Sequence, residues 1–232
     1  MKAIVKYRTF ILLIFLLSCS KDSTTNNSSN NSYTVCNRLM ALTCDGNGMG
    51  DYCTTGFKWG DSNPFSNAGL EKPGPSVGSV VITYKFQDAG VSFNTHSQQN
   101  VKSLGFSNCL KDTIRLIFAE WESVAAISFI EKSSAEESNI IVMIANIQQG
   151  GLGYPAFPDK PCSDIAGNII LNTYNFPSCA NFYRTGVLHE IGHALGLGHV
   201  KNNVVMNPVA YKDFKHLQYG DIKGIQTIYG TK

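Results

Sequence analysis

Along most of the chain the apolar positions keep one of two periods, and each change of period marks an element. Val80-Val81-Ile82-Thr83-Tyr84-Lys85-Phe86 is rich in β-branched and aromatic residues and predicts a strand. Over residues 108–124 the period lengthens. Leu110, Ile114, Ile117, Phe118 and Trp121 recur at helical spacing with Lys111, Asp112, Arg115, Glu120 and Glu122 elsewhere, which predicts a long amphipathic helix packed on a sheet. Residues 127–130 and 139–144 read as strands again, the second so apolar that it belongs at the centre of the sheet. Residues 88–99 show no period and are expected to be loop. A short strand is predicted at 167–172, a helix at about 182–195, a tight turn at Val204-Val205-Met206-Asn207-Pro208, and a final amphipathic helix at about 217–229 with Ile222, Ile225 and Ile228 inward.

Residues 150–158, Gly-Gly-Leu-Gly-Tyr-Pro-Ala-Phe-Pro, fit neither period. An edge strand of small residues can accept a peptide as an added strand, because its outward backbone groups have no partner in the sheet. A plain loop ended by prolines has the same composition, and both readings stay open.

The amino terminus changes the picture from a bare domain to an exported one. Lys2, Lys6 and Arg8 precede an apolar run over residues 10–17, too short to span a bilayer but suited to a signal-peptide core. The run ends Leu16-Leu17-Ser18-Cys19, which resembles the lipobox of bacterial lipoproteins, so Cys19 is the candidate lipidation site; a plain secretory signal is the alternative. A Thr/Asn/Ser tract to about residue 32 cannot bury a core and is expected to be a flexible tether. The expected organisation is a signal peptide at 1–18, lipid-attachment cysteine and tether at 19–33, a cysteine-containing extension or short pro-segment at 34–77, and a folded body at 78–232. An outer-membrane or cell-surface lipoprotein facing outward is the expected location.

Besides Cys19 the cysteines are Cys36, Cys44, Cys53, Cys109, Cys162 and Cys179. Even parity in an exported chain favours disulfides. Cys162 and Cys179 bracket one loop-like stretch and are expected to pair, leaving the other four to pair among themselves and tie the amino-terminal segment to the body through Cys109. Asp45, Asp51 and Asp61 lie in a Gly- and Asp-rich stretch and are read as loop residues before zymogen-blocking ligands. At 232 residues with 43% hydrophobic content the chain can bury a substantial core. A formal net charge of +2, with no basic cluster, gives no reason to invoke nucleic acid. A monomer is expected.

The chemistry concentrates in His189-Glu190-Ile191-Gly192-His193-Ala194-Leu195-Gly196-Leu197-Gly198-His199. On a helix, residues four apart share a face, so His189 and His193 can aim at one ion. A third ligand further along the same helix could not close a tetrahedron, so the chain must turn before His199. Gly196 is placed to end the helix in a left-handed conformation, and Gly198 to loosen the turn that follows. Three nitrogens leave a coordination position open, the pattern of catalytic zinc. Glu190, roughly 100° around the helix from His189, is placed as a general base without being a ligand.

This motif, followed within a few residues by the methionine turn at Met206, resembles the metzincin metalloproteases. Phe118, Trp121, Val124, Ile127 and Phe129, and then Leu217, Asp221, Ile222, Gly224, Ile225, Gln226, Tyr229 and Gly230, resemble the matrixin family over about residues 78–230. The resemblance implies an α+β, zincin-like fold: a twisted, mostly parallel sheet with an antiparallel edge strand, a long backing helix, the zinc-site helix and a carboxy-terminal helix. It implies one catalytic Zn2+ held by His189, His193 and His199, Glu190 as acid and base, and Met206 as a floor beneath the metal. Gly151, Leu152, Gly153 and Tyr154 would hold an extended polypeptide substrate, and Pro208 and Tyr211 would shape the pocket after the scissile bond. Tyr154 and Ile170 stand where matrixins carry histidines for a second zinc, so a single zinc is expected. Asp159 and Asp164 are the candidates for Ca2+. Val200 follows the third histidine in place of the usual small hydroxyl residue. The implied activity is zinc-dependent endopeptidase; a non-catalytic surface binder or adhesin on the same scaffold is the alternative, and it would be expected to have lost Glu190 or a ligand.

Overall fold

The computed structural model describes residues 51–54, 58–59, 78–94, 100–147, 153–155, 168–173, 179, 183–208 and 213–232. Its strands are β1 (Cys53–Thr54), β2 (Val80–Phe86), β3 (Ser92–Asn94), β4 (Asn100–Lys102), β5 (Ile127–Glu131), β6 (Ile140–Ala145), β7 (Gly153–Pro155), β8 (Ile169–Asn172) and β9 (Leu197–Gly198). Its helices are α1 (Asn108–Val124), α2 (Arg184–Ala194) and α3 (Tyr219–Tyr229). A five-stranded sheet runs in the order β5-β2-β6-β8-β7. The first four strands are parallel and β7 lies antiparallel at the edge, Gly153 opposite Leu171 and Tyr154 opposite Ile170. The order follows from burial: the β6 segment, most apolar of all, occupies the middle.

One face of the sheet carries the main core. Val80, Ile82, Tyr84 and Phe86 alternate inward along β2 and meet Leu110, Ile114, Ile117, Phe118 and Trp121 of α1. Ser107 caps α1 by accepting from the Leu110 amide at 3.3 Å. Tyr84 stacks on Phe118 at 4.3 Å between ring centroids. Each large side chain buried here contributes about 1.5–3 kcal/mol. On the opposite face Met143, Ala145, Ile147 and Ile170 form a smaller cluster under Phe93 and Val101. Those two residues come from the β3–β4 antiparallel hairpin, which occupies part of the stretch expected to be loop. Ile225 and Ile228 are buried as expected, whereas Ile222 is only half-buried against the core.

The expected pairing of Cys162 with Cys179 is overturned, since Cys179 bonds Cys109 across 70 residues with Cα atoms 6.1 Å apart. Cys109 opens α1, so the bridge ties that helix to the approach to α2 and does not tie Cys109 to the amino-terminal segment. Cys53 is also disulfide-bonded, to a partner outside the described residues, where Cys36, Cys44 and Cys162 all lie. Residues 51–54 and 58–59, within the segment expected to be an extension or pro-segment, pack into the body: Cys53 and Trp59 belong to the main core.

Candidate metal centre

Helix α2 is buried on every side, from Thr185 to Ala194. It enters through polar anchors: Arg184 pairs with Glu120 of α1 and donates from Nε to the Lys215 carbonyl at 2.7 Å, while Thr185 donates to the Phe214 carbonyl at 2.9 Å. Glu120 also accepts from the Leu217 amide at 2.8 Å, so one carboxylate joins α1, α2 and the approach to α3. Gly192 is required by packing, since a Cβ there would collide with the Met206 sulfur and lie 3.3 Å from the Trp121 ring. Met206 thus seats against the helix between the two histidine positions.

Helical spacing brings His189 and His193 together, their Nε2 atoms 3.0 Å apart. The helix ends at Ala194, and the chain turns away at Gly196, whose φ of 101° is the left-handed region and whose amide donates to the His193 carbonyl at 2.9 Å. Gly198 does not loosen the turn as expected; it is held in β9 opposite Cys53. The next residue, His199, brings its Nε2 to 3.0 Å from that of His193 and 3.1 Å from that of His189.

Backbone carbonyls settle the tautomers of two of these rings. The Val205 carbonyl lies 2.7 Å from His189 Nδ1 and the Leu197 carbonyl 2.8 Å from His193 Nδ1. A carbonyl only accepts, so each Nδ1 carries the hydrogen and each Nε2 presents a lone pair. Burial holds His189 down at about 4, His193 well below the ordinary imidazole value, and His199 lower as well, so all three favour the neutral form. Neutral nitrogen lone pairs converging at 3.0 Å repel one another unless a cation lies between them. Tetrahedral Zn–N bonds of about 2.0–2.1 Å would set the nitrogens roughly 3.3 Å apart, so a small opening of the cluster accommodates the ion. The donor set therefore fits zinc.

Glu190 is 3% exposed, and its Oε2 has no hydrogen-bond partner among the described residues. Burial raises its pKa to about 8. A buried carboxylate oxygen without a partner among the described residues, next to a metal-ligand cluster, is suited to receive a proton or a hydrogen bond from a bound molecule.

Asp221, which the resemblance includes without a role, braces the methionine turn. It is buried and accepts from the amides of Val205 (2.9 Å), Met206 (3.1 Å) and Gln218 (2.9 Å). Burial pushes its carboxyl up while the three amides pull it back. It thereby holds the turn whose Val205 carbonyl orients His189. The spacing of Gln218 and Asp221 is that of a capping box and was the available signal. Of the expected subsite residues, Pro208 is half-buried just beyond the methionine turn, and Gly153 and Tyr154 lie on the edge strand β7. Gly151, Leu152, Tyr211, Cys19, Asp159 and Asp164 lie outside the described residues.

A mostly parallel sheet with an antiparallel edge strand, backed by three helices and carrying a three-histidine cluster on a helix and the turn after it, is a metzincin fold. The matrixin (peptidase M10) family model matches residues 85–230, and the chain belongs to that family. It is 30% identical over 128 residues to metalloprotease AprA of Pseudomonas entomophila, covering 53% of this chain and 26% of that protein. It is 29% identical over 145 residues to metalloendoproteinase 1 of Glycine max, covering 52% and 45%. Interstitial collagenase B of Mus musculus is 27% identical over 190 residues, covering 74% and 40%. The chain thus spans less than half the length of each of these relatives.

Proposed function

We propose that the protein is a zinc-dependent endopeptidase that hydrolyses extended polypeptides. The observation that carries the proposal is the convergence of His189, His193 and His199 beside the unpartnered Oε2 of Glu190. The three imidazoles would hold one zinc through their Nε2 atoms. When bound, the ion supplies a Lewis acid that makes water nucleophilic near neutrality and polarises the scissile carbonyl. Glu190 takes the proton of the attacking water on its free oxygen and delivers it to the departing amine, base and acid in one turnover. Met206 floors the site against α2. The outward edge of β7 offers backbone groups to an extended substrate, with residues 151–154 as the strand it joins and Pro208 and Tyr211 shaping the pocket beyond the scissile bond. Cys19 as a lipid anchor would place this activity on the cell surface, against extracellular polypeptides.

Glu190→Gln removes the base without removing a ligand. It should keep zinc at one equivalent by elemental analysis and lower chelator-sensitive casein cleavage by about 10²–10⁴. Near wild-type cleavage by this variant would refute the mechanism. A wild-type protein that bound zinc but cut nothing would instead favour the non-catalytic binder.

A further inference from the structure

The turn from Leu195 to His199 has to leave a helix and hold a ligand. What braces it comes from residues 51–54 and 58–59. Strand β1 pairs antiparallel with β9, Cys53 opposite Gly198 and Thr54 opposite Leu197, directly before His199. Leu197 is also the residue whose carbonyl orients His193. Trp59, 1% exposed, donates from its indole to the Ala194 carbonyl at 2.7 Å. Its own amide donates to the Tyr229 hydroxyl at 3.1 Å, and that hydroxyl donates to the Leu195 carbonyl at 3.0 Å. The end of α2 leaves carbonyls without helical partners. Two of them, in consecutive residues, are therefore satisfied by this indole and this phenol.

The same segment reaches the far side of the third histidine, where Asn202 donates to Asp51 at 2.9 Å. Helix α3 is shaped to receive it. A Cβ on Gly220 would collide with the Asp51 carbonyl, and one on Gly224 would lie 2.9 Å from the Tyr52 Cβ and from Leu197. His199 is thus flanked on both sides, at 194–198 and at 202, by contacts from one remote segment.

We infer that residues 51–54 and 58–59 are a positioning strut for the third-histidine turn, with Trp59 as its anchor, and are a working part of the mature centre, not a detachable pro-segment. A two-residue strand has no stability apart from its partner, so β9 keeps its path only while β1 is present. Removal of the chain up to residue 78 would weaken metal binding and not release activity. The inference rests on the reading of His189, His193 and His199 as a zinc site.

The test is zinc affinity, measured by competition with a chromophoric chelator on the full-length protein, so that no proteolysis assay is involved. Trp59→Phe keeps a ring in the core and deletes the indole donor; it should weaken zinc binding about tenfold. Ile82→Val, a one-methylene core change in β2, serves as the control for general destabilisation and should leave the affinity unchanged. Asp51→Ala leaves the core intact and should weaken binding two- to threefold, which keeps the test open if the Trp59 variant fails to fold. Affinities of Trp59→Phe and Asp51→Ala equal to that of Ile82→Val would overturn the strut while leaving the endopeptidase reading in place. A wild-type protein that bound no zinc would overturn both.

Discussion

Gly196 converts a backbone angle into a measurable metal affinity. Its φ of 101° lies where an L side chain is strained, and it is buried at the point where the chain leaves α2 for His199. Alanine in such a conformation costs about 1–3 kcal/mol. The entropy that alanine removes from the unfolded chain cannot offset this, because that gain appears only where the native angle suits the new residue. With a cost of about 2 kcal/mol and a shift of about 2–4 °C per kcal/mol in a domain of this size, Gly196→Ala should lower the melting temperature of the zinc-loaded protein by roughly 4–8 °C. The turn can relax when no metal is bound, but must readopt its path to deliver His199. Most of the strain should therefore appear as lost zinc affinity, and 2 kcal/mol corresponds to about a 30-fold weaker dissociation constant. Thermal unfolding with and without zinc, beside a chelator competition, separates the two effects. Gly90→Ala is the control: its φ of 84° is equally left-handed, but it is exposed and lies near β3. That variant should lose stability alike in both states and keep its zinc affinity. An equal melting-temperature loss with and without zinc for Gly196→Ala, and a dissociation constant within twofold of wild type, would refute the reasoning.

Asp221→Ala leaves three inward amides, those of Val205, Met206 and Gln218, without their acceptor. At about 1–1.5 kcal/mol each the loss should reach about 3–4.5 kcal/mol in urea unfolding, with weaker zinc binding because Val205 orients His189; a loss below about 1 kcal/mol would contradict this. Glu131 receives two contacts from the Arg115 guanidinium, at 2.7 and 2.9 Å, which hold its carboxyl below the usual 4.5. A depressed carboxylate contributes stability above its unfolded-state pKa and loses it as pH falls through the folded one. Since the pair is partly exposed, Glu131→Gln should cost only about 0.5–1 kcal/mol at neutral pH, and its melting temperature should converge on that of the wild type as pH drops below the carboxylate range. A gap that persists in acid would assign the effect to packing.

The parts of this molecule legible in its sequence are those whose physics repeats along the chain. Helix α1 is written in the 3.6-residue recurrence of Leu110, Ile114, Ile117, Phe118 and Trp121, and β2 and β6 in their apolar runs. The spacing of His189 and His193 and the glycine at 196 are dictated by ligand geometry, so the cluster could be read without coordinates. The β3–β4 hairpin could not, because each strand places a single apolar residue, Phe93 or Val101, on the core. The Cys109–Cys179 bridge was equally hidden: cysteine parity says that bridges form, not which, and proximity in sequence pointed to Cys162. Trp59 and β1 left no pattern at all, since a two-residue strand has no period and a single tryptophan does not name its acceptor.

What escaped the sequence is concentrated around the third ligand, and the reason is physical. Two histidines on one helix face are placed by local backbone geometry, which any stable helix supplies. The third is placed from outside: by β1 across β9, and by Trp59 and Tyr229 on the last carbonyls of α2. Their contacts span 34 to 170 residues of sequence. Such long closures are entropically costly, and they have to be satisfied before the metal arrives if the site is to be preorganised. Because the strut, the methionine turn and α3 all bear on the same turn, a loss at any one of them should be felt first in metal affinity and only then in global unfolding.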